Sequence, residues 1–167
     1  IDQHAAAERI TFEKILSKFE NEETLKSQPL LLPETINLSE QDLIKLKSNI
    51  KNIKRLGFEM EFKGSTLSIT GVPEILANKE LLSIFQQILS DIGNNSNKED
   101  TEILHKIIAT LACHSSIRAG QRIGNEQARY FVTNLLKCKQ PYSCPHGRPI
   151  IWTLSKNELE KNFKRKL

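Results

Sequence analysis

Phe58-Glu59-Met60-Glu61-Phe62-Lys63-Gly64-Ser65-Thr66-Leu67-Ser68-Ile69 alternates apolar and polar side chains about a two-residue turn. Phe58, Met60 and Phe62 fall on one side of the chain, and Glu59, Glu61 and Lys63 on the other. That is the two-residue period of a half-buried strand. Gly64-Ser65 turns the chain, and Leu67 and Ile69 make the return strand, which Gly71 and Pro73 stop. Upstream, Ser39 caps a helix, with Asp42 three residues on as a capping-box variant. Leu43, Leu46, Ile50 and Ile53 follow at helical spacing until Gly57 ends the element. Downstream, 78–90 reads as a helix through Leu81, Ile84, Phe85 and Ile88, then Gly93–Asn97 is a polar loop. Residues 101–113 form a further helix on Ile103, Leu104, Ile107, Ile108 and Leu111.

The flanks complete the order. Asp2 caps an Ala-rich helix over 3–19, and residues 20–38 read as an irregular or edge-strand connection. After 111 come a helix over 125–137, a Cys/Pro-rich loop, and an alternating strand at Ile150, Trp152 and Leu154. Ser155 and Glu158 make a capping box for a last helix. No strand–helix–strand unit repeats, so the class is α+β. The helix–hairpin–helix block at 39–110 reads as a small lobe inserted into a domain built from 1–38 and 111–167.

The chain has 167 residues, 38% of them apolar, enough for a core and too many for a disordered chain. No apolar run approaches the roughly 20 residues of a membrane span, and Ile1 leads directly into a charged segment, unlike a signal peptide. The net charge of +4 hides a gradient: residues 1–38 carry 4 basic and 7 acidic groups, whereas 111–167 carry 11 and 3. A local +8 suits an anionic partner such as nucleic acid. Three cysteines, an odd number, fit a reducing compartment.

Three segments carry chemistry. In Asp2-Gln3-His4-Ala5-Ala6-Ala7-Glu8-Arg9-Ile10-Thr11-Phe12-Glu13, His4 and Glu8 lie one helical turn apart and can share a metal ion, with Asp2 close by. Glu13 lies about 140° round the helix from Glu8 and points elsewhere, within i,i+4 reach of Arg9. Cys144-Pro145-His146-Gly147-Arg148-Pro149 puts a thiolate and an imidazole on one stiff, tight turn, and Arg148 offers a phosphate fork. Cys113-His114 ends an apolar helix. A mixed N, S and O set of His4, Glu8, Cys113, Cys144 and His146 suits zinc, and carboxylates at one side suit a harder Mn²⁺ or Mg²⁺.

These segments, in this order, resemble the three endonuclease motifs of the C-terminal domain of the nicking MutL family of DNA mismatch-repair proteins. The resemblance spans the chain; the one departure is His114, where the family often has Arg or Lys. It implies a metal-dependent endonuclease that nicks duplex DNA, with His4, Glu8, Cys113, Cys144 and His146 as metal ligands. Asp2, Glu8, Glu13 and Arg148 form the catalytic set that goes with it. It also implies a homodimer through the outer lobe, a regulatory inserted lobe, and a MutS-type mismatch-recognition partner in the bacterial cytoplasm, at the nucleoid. An ATPase region would lie upstream, so ATP would act only through that part. Gln28-Pro29-Leu30-Leu31-Leu32-Pro33 resembles the peptide by which bacterial proteins bind the replication sliding clamp, with Gln28, Leu31 and Pro33 as anchors. Lys164-Arg165-Lys166 is a candidate DNA contact beside Arg148. The rival reading is a dimerisation and interaction module whose zinc is purely structural.

Overall fold

A computed structural model describes residues 1–76, 80–93, 100–117 and 120–164. The elements run α1 (Gln3–Glu20), β1 (Ser27–Asn37), α2 (Glu40–Ser48), α3 (Ile50–Arg55), β2 (Glu59–Lys63), β3 (Thr66–Pro73), α4 (Leu81–Gly93), α5 (Asp100–Ser115), α6 (Asn125–Leu135) and α7 (Lys156–Asn162). A mainly helical chain with one small antiparallel sheet is an α+β fold.

The hairpin forms as its alternation demands. Met60 pairs with Ile69 and Phe62 with Leu67, so the apolar sides of both strands coincide. β1 joins the other edge of β3, giving the order β1-β3-β2. The connection expected over 20–38 therefore contains an edge strand, and the sheet straddles residue 38. Gly57 leads into β2 at φ +90, where an added Cβ would come within 3.1 Å of the Leu25 carbonyl oxygen. Glycine is the residue that fits there.

The helix expected from Ser39 to Gly57 is broken at Asn49. Its side-chain amide donates to the Lys45 carbonyl oxygen at 3.0 Å, diverting the backbone between α2 and α3. The Ser39 cap forms as read, with the Asp42 N–H donating to Ser39 Oγ, and both halves of the Ser155–Glu158 capping box are present. The strand expected at 150–154 is absent; only a single bridge, Ser143 to Pro149, lies beside it. Ile150 is buried but Trp152 and Leu154, which a strand would put on the same side, are exposed, and among the described residues no partner strand lies alongside. The polar loop lies largely outside the described residues, as do Arg165 and Lys166.

Two apolar clusters hold the fold. The larger joins Phe12 and Ile15 of α1 to the sheet and to Ile84, Phe85 and Ile88 of α4 and Ile107, Ile108 and Leu111 of α5. Phe58 and Phe85 meet edge to face at 5.7 Å within it. The smaller gathers Ala5, Ala6, Leu135, Cys144 and Ile150. The first turns of α1 belong to the smaller cluster and its middle to the larger, so this helix ties them together. Its Ala5, Ala6 and Ala7 are buried and small, which lets neighbouring backbone approach closely. Among the described residues, no helix is long and apolar enough to cross a membrane.

Candidate metal centre

Asp2 sets the first turn of α1. Its Oδ1 accepts from the backbone N–H groups of His4 at 2.9 Å and Ala5 at 3.0 Å, and its own N–H donates to the Ile150 carbonyl oxygen. The cap fixes where His4 and Glu8 emerge. His4 Nε2 stands 3.2 Å from Glu8 Oε1, as the i,i+4 spacing requires. His4 Nδ1 meets the Ile117 carbonyl oxygen at 2.6 Å. A carbonyl can only accept, so Nδ1 carries the proton and, in the neutral ring, Nε2 turns a lone pair toward Glu8.

The last turn of α5 brings Cys113 to the same point. His4, Glu8 and Cys113 offer ligand atoms all within 4.8 Å of one another, and so do Glu8, Cys144 and His146. Cys144 and His146 come from the tight turn. The Cys144 N–H donates to the Arg148 carbonyl oxygen, and the Gly147 N–H returns to the Cys144 carbonyl oxygen. Gly147 sits at φ +83, a conformation that glycine takes without strain. Cys144 is packed among Ala5, Ala6, Leu135 and Ile150, while His146 is exposed and stands 3.6 Å from Glu8 Oε2 through Nδ1.

Glu8 is common to both groups. It is 1% exposed, and among the described residues its carboxylate oxygens accept no hydrogen bond from a nitrogen or oxygen donor. A buried carboxylate in that state is costly unless a cation completes it. Its neighbours are imidazole nitrogens and two cysteine sulfurs, so the donor set fits zinc, the ion the sequence suggested. The His4 ring held by a backbone carbonyl is the outer-shell arrangement that orients metal-bound histidines. Without an ion, Cys113 is pushed up to about 11, by burial first and then by the hydrogen bond and negative charge of Glu8. The positive charge of Arg148 opposes that shift, which places the exposed guanidinium within electrostatic reach of the centre.

The other expected residues lie apart. Glu13 accepts from the backbone N–H groups of Lys139 at 2.6 Å and Gln140 at 3.1 Å, and pairs with Arg9 at 3.6 Å. It is outside both ligand groups, in the direction that its helical offset gives it. Asp2 is likewise outside them. Gln28 pairs with Val72 in the sheet, whereas pairing lapses between Pro29 and Glu34, and Leu31 there is 98% exposed. Lys164 is exposed beyond α7. Two contributors carried no side-chain ligand signal: the Ile117 carbonyl, which any residue supplies, and Arg9, 5% exposed, whose Nε donates to the Ser143 carbonyl oxygen at 2.6 Å. Beside the centre opens a groove of about 820 Å³, lined among others by Cys113, His114, His146 and Lys106.

Residues 1–123 match the family model described as the MutL C terminal dimerisation domain. The chain is similar to the DNA mismatch repair protein MutL of Endomicrobium trichonymphae, at 42% identity over 99% of this chain and 28% of that protein. It is 39% identical to the protein of that name from Clostridium botulinum (strain Langeland / NCTC 10281 / Type F), over 99% of this chain and 25% of the relative. The corresponding protein of Citrifermentans bemidjiense is 36% identical over 99% of this chain and 26% of its own length. The chain thus spans about a quarter of the length of these curated relatives. The chain therefore belongs to the MutL C-terminal dimerisation domain family of the mismatch-repair proteins.

Proposed function

We propose that this domain is a metal-dependent endonuclease that nicks duplex DNA within a homodimeric mismatch-repair protein. The observation that carries the proposal is Glu8, a buried carboxylate with no nitrogen or oxygen donor among the described residues, shared by a His/Cys group on each side. His4, Glu8, Cys113, Cys144 and His146 would hold zinc, with Mn²⁺ or Mg²⁺ serving cleavage; bound there, the ions would supply Lewis-acid stabilisation of attacking and leaving oxygens. The chain's own residues do the rest. The Asp2 cap fixes the start of α1 and with it the direction of His4. The Ile117 carbonyl holds the His4 tautomer. Arg148, exposed near the centre, would take a DNA phosphate, with Lys164, Arg165 and Lys166 as further candidate phosphate contacts.

Partners follow from what is left uncovered. α6 buries only Leu135 and exposes Tyr130 and Val132, and Leu136 just past its end is exposed too, which supports a homodimer through the chain ends. Leu31 and Leu32 of the edge strand are exposed, which supports clamp binding through Gln28, Leu31 and Pro33. A MutS-type partner, a place at the bacterial nucleoid in the cytoplasm, and ATP acting through an upstream region come with the family reading. The division into an outer lobe of 1–38 with 111–167 and an inserted regulatory lobe of 39–110 is part of the same proposal.

The test is nicking of supercoiled plasmid with Mn²⁺ by the protein joined to its ATPase region and supplied with clamp. Wild type is expected to nick, and Asp2→Asn and Glu8→Lys to lose nicking. No nicking by wild type would overturn the proposal and leave a structural zinc module.

A further inference from the structure

We propose that Arg9 and Glu13 are positioning residues that set the Cys144–His146 turn against Glu8. The inference rests on the metal reading above and deepens it. The turn follows a segment, 139–143, that α1 grips from two sides. Glu13 places one carboxylate oxygen on the Lys139 N–H and the other on the Gln140 N–H. Arg9 then holds the Ser143 carbonyl oxygen through Nε at 2.6 Å. Ser143 is the residue before Cys144. These contacts join positions 126, 127 and 134 residues apart in sequence, so no local preference supplies them.

The two gripping side chains also hold each other, with Arg9 Nη1 3.6 Å from Glu13 Oε1 and the Arg9 guanidinium over the Phe12 ring at 5.4 Å. Arg9 is buried, so its charge is committed to this work rather than offered to a ligand. Glu8, Arg9 and Glu13 lie on one rigid helix. The carboxylate that receives the ligands and the groups that aim the ligand-bearing turn therefore move together. Cys144 has a second anchor in its apolar pocket, whereas exposed His146 pairs with Glu8. The group His4–Glu8–Cys113 is different: α1 and α5 carry it, and residues 139–143 take no part.

That asymmetry gives the test. Co²⁺ is titrated into the full chain, and thiolate-to-cobalt absorption is read in two backgrounds. Cys113→Ser leaves Cys144 as the reporter, and Cys144→Ser leaves Cys113. With Cys113→Ser, adding Arg9→Met or the milder Glu13→Gln is expected to weaken Co²⁺ binding by about 10–100-fold, the usual effect of losing an outer-shell support. With Cys144→Ser, the same changes are expected to leave affinity within roughly threefold on that scale. Arg9→Lys, which keeps one donor for the Ser143 carbonyl, is expected to recover part of the loss. Equal weakening in both backgrounds by the mild variants, or no weakening in either, overturns the positioning role while the metal reading stands. Absence of any Co²⁺ signal in both parent backgrounds and in wild type overturns the metal reading and this inference with it.

Discussion

His4 and Glu8 face each other at 3.2 Å with no proton between them in the neutral-ring state, because His4 spends its N–H on the Ile117 carbonyl. A lone pair against a buried carboxylate is repulsive until a cation enters. The first prediction follows. Zinc is expected to raise the melting temperature of wild type, and free zinc at 100 times its Kd corresponds to about 2.7 kcal/mol. Glu8→Gln is expected to melt in chelator at least as high as wild type, because a neutral amide is cheaper to bury, and to gain far less from zinc. Thermal denaturation in chelator and in zinc measures both. An equal zinc gain in the two proteins would remove Glu8 from the ligand set.

This centre was largely legible in the sequence, for a physical reason. His4 and Glu8 are local to one helix, and Cys144 and His146 to one turn, so spacing alone pairs them. Joining the two pairs with Cys113 rested on donor chemistry and then on the resemblance, because no periodicity reports contacts more than 100 residues apart. The grip of Arg9 and Glu13 escaped for a related reason. Read on the helix, the two are an ordinary i,i+4 surface pair; their acceptors and donors are backbone groups of 139–143, and backbone groups leave no trace in residue identity. In the fold, the hairpin at 58–69 was legible because alternation and turn agree. The strand at 150–154 failed because the apolar spacing there does not track burial, Trp152 being 81% exposed two residues after buried Ile150, and because a strand needs a neighbour to bond.

Cys138 gives a pH prediction independent of metal. Burial first, and then the charge of Glu13, push its thiol from 9.0 up to about 11, against the opposing charge of Arg9. The folded state favours the protonated form. That contribution to stability is whole below pH 9, the ordinary thiol value, and is lost as pH climbs through about 11. At pH 8 the native thiolate fraction should be about a hundredfold below that of an ordinary thiol, so alkylation should be slow until denaturant is added. Glu13→Gln removes a raising charge and should move the rate–pH midpoint down. Iodoacetamide labelling across pH, read by mass spectrometry, checks this; an unmoved midpoint counts against the coupling.

The unpaired stretch between Pro29 and Glu34 predicts a separation of binding from stability. Leu31 and Leu32 are 98% and 78% exposed, so Leu31→Ser with Leu32→Ser should change folding stability by no more than about 0.5 kcal/mol. If these leucines enter an apolar groove on the clamp, the same pair should weaken clamp binding by more than about tenfold, since each buried leucine is worth roughly 1.5–3 kcal/mol. Surface plasmon resonance against immobilised clamp, beside urea denaturation, separates the two. Unchanged clamp affinity would return this stretch to a plain edge strand.

Arg148 predicts a salt signature. It is exposed, and its charge opposes the upward push on the Cys113 thiol, which burial and Glu8 outweigh. A side chain so placed should neutralise one DNA phosphate and release about one counterion. Arg148→Glu should therefore weaken DNA binding more at 50 mM than at 200 mM salt, and reduce the slope of log affinity against log salt by about one unit. The turn should keep its shape in this variant, because Arg148 contributes its backbone carbonyl oxygen, which accepts from the Cys144 N–H, and that contact survives the substitution. Fluorescence anisotropy of labelled duplex DNA across salt concentrations gives the slope. A loss that is the same at every salt concentration would mean that Arg148 shapes the turn and does not contact phosphate.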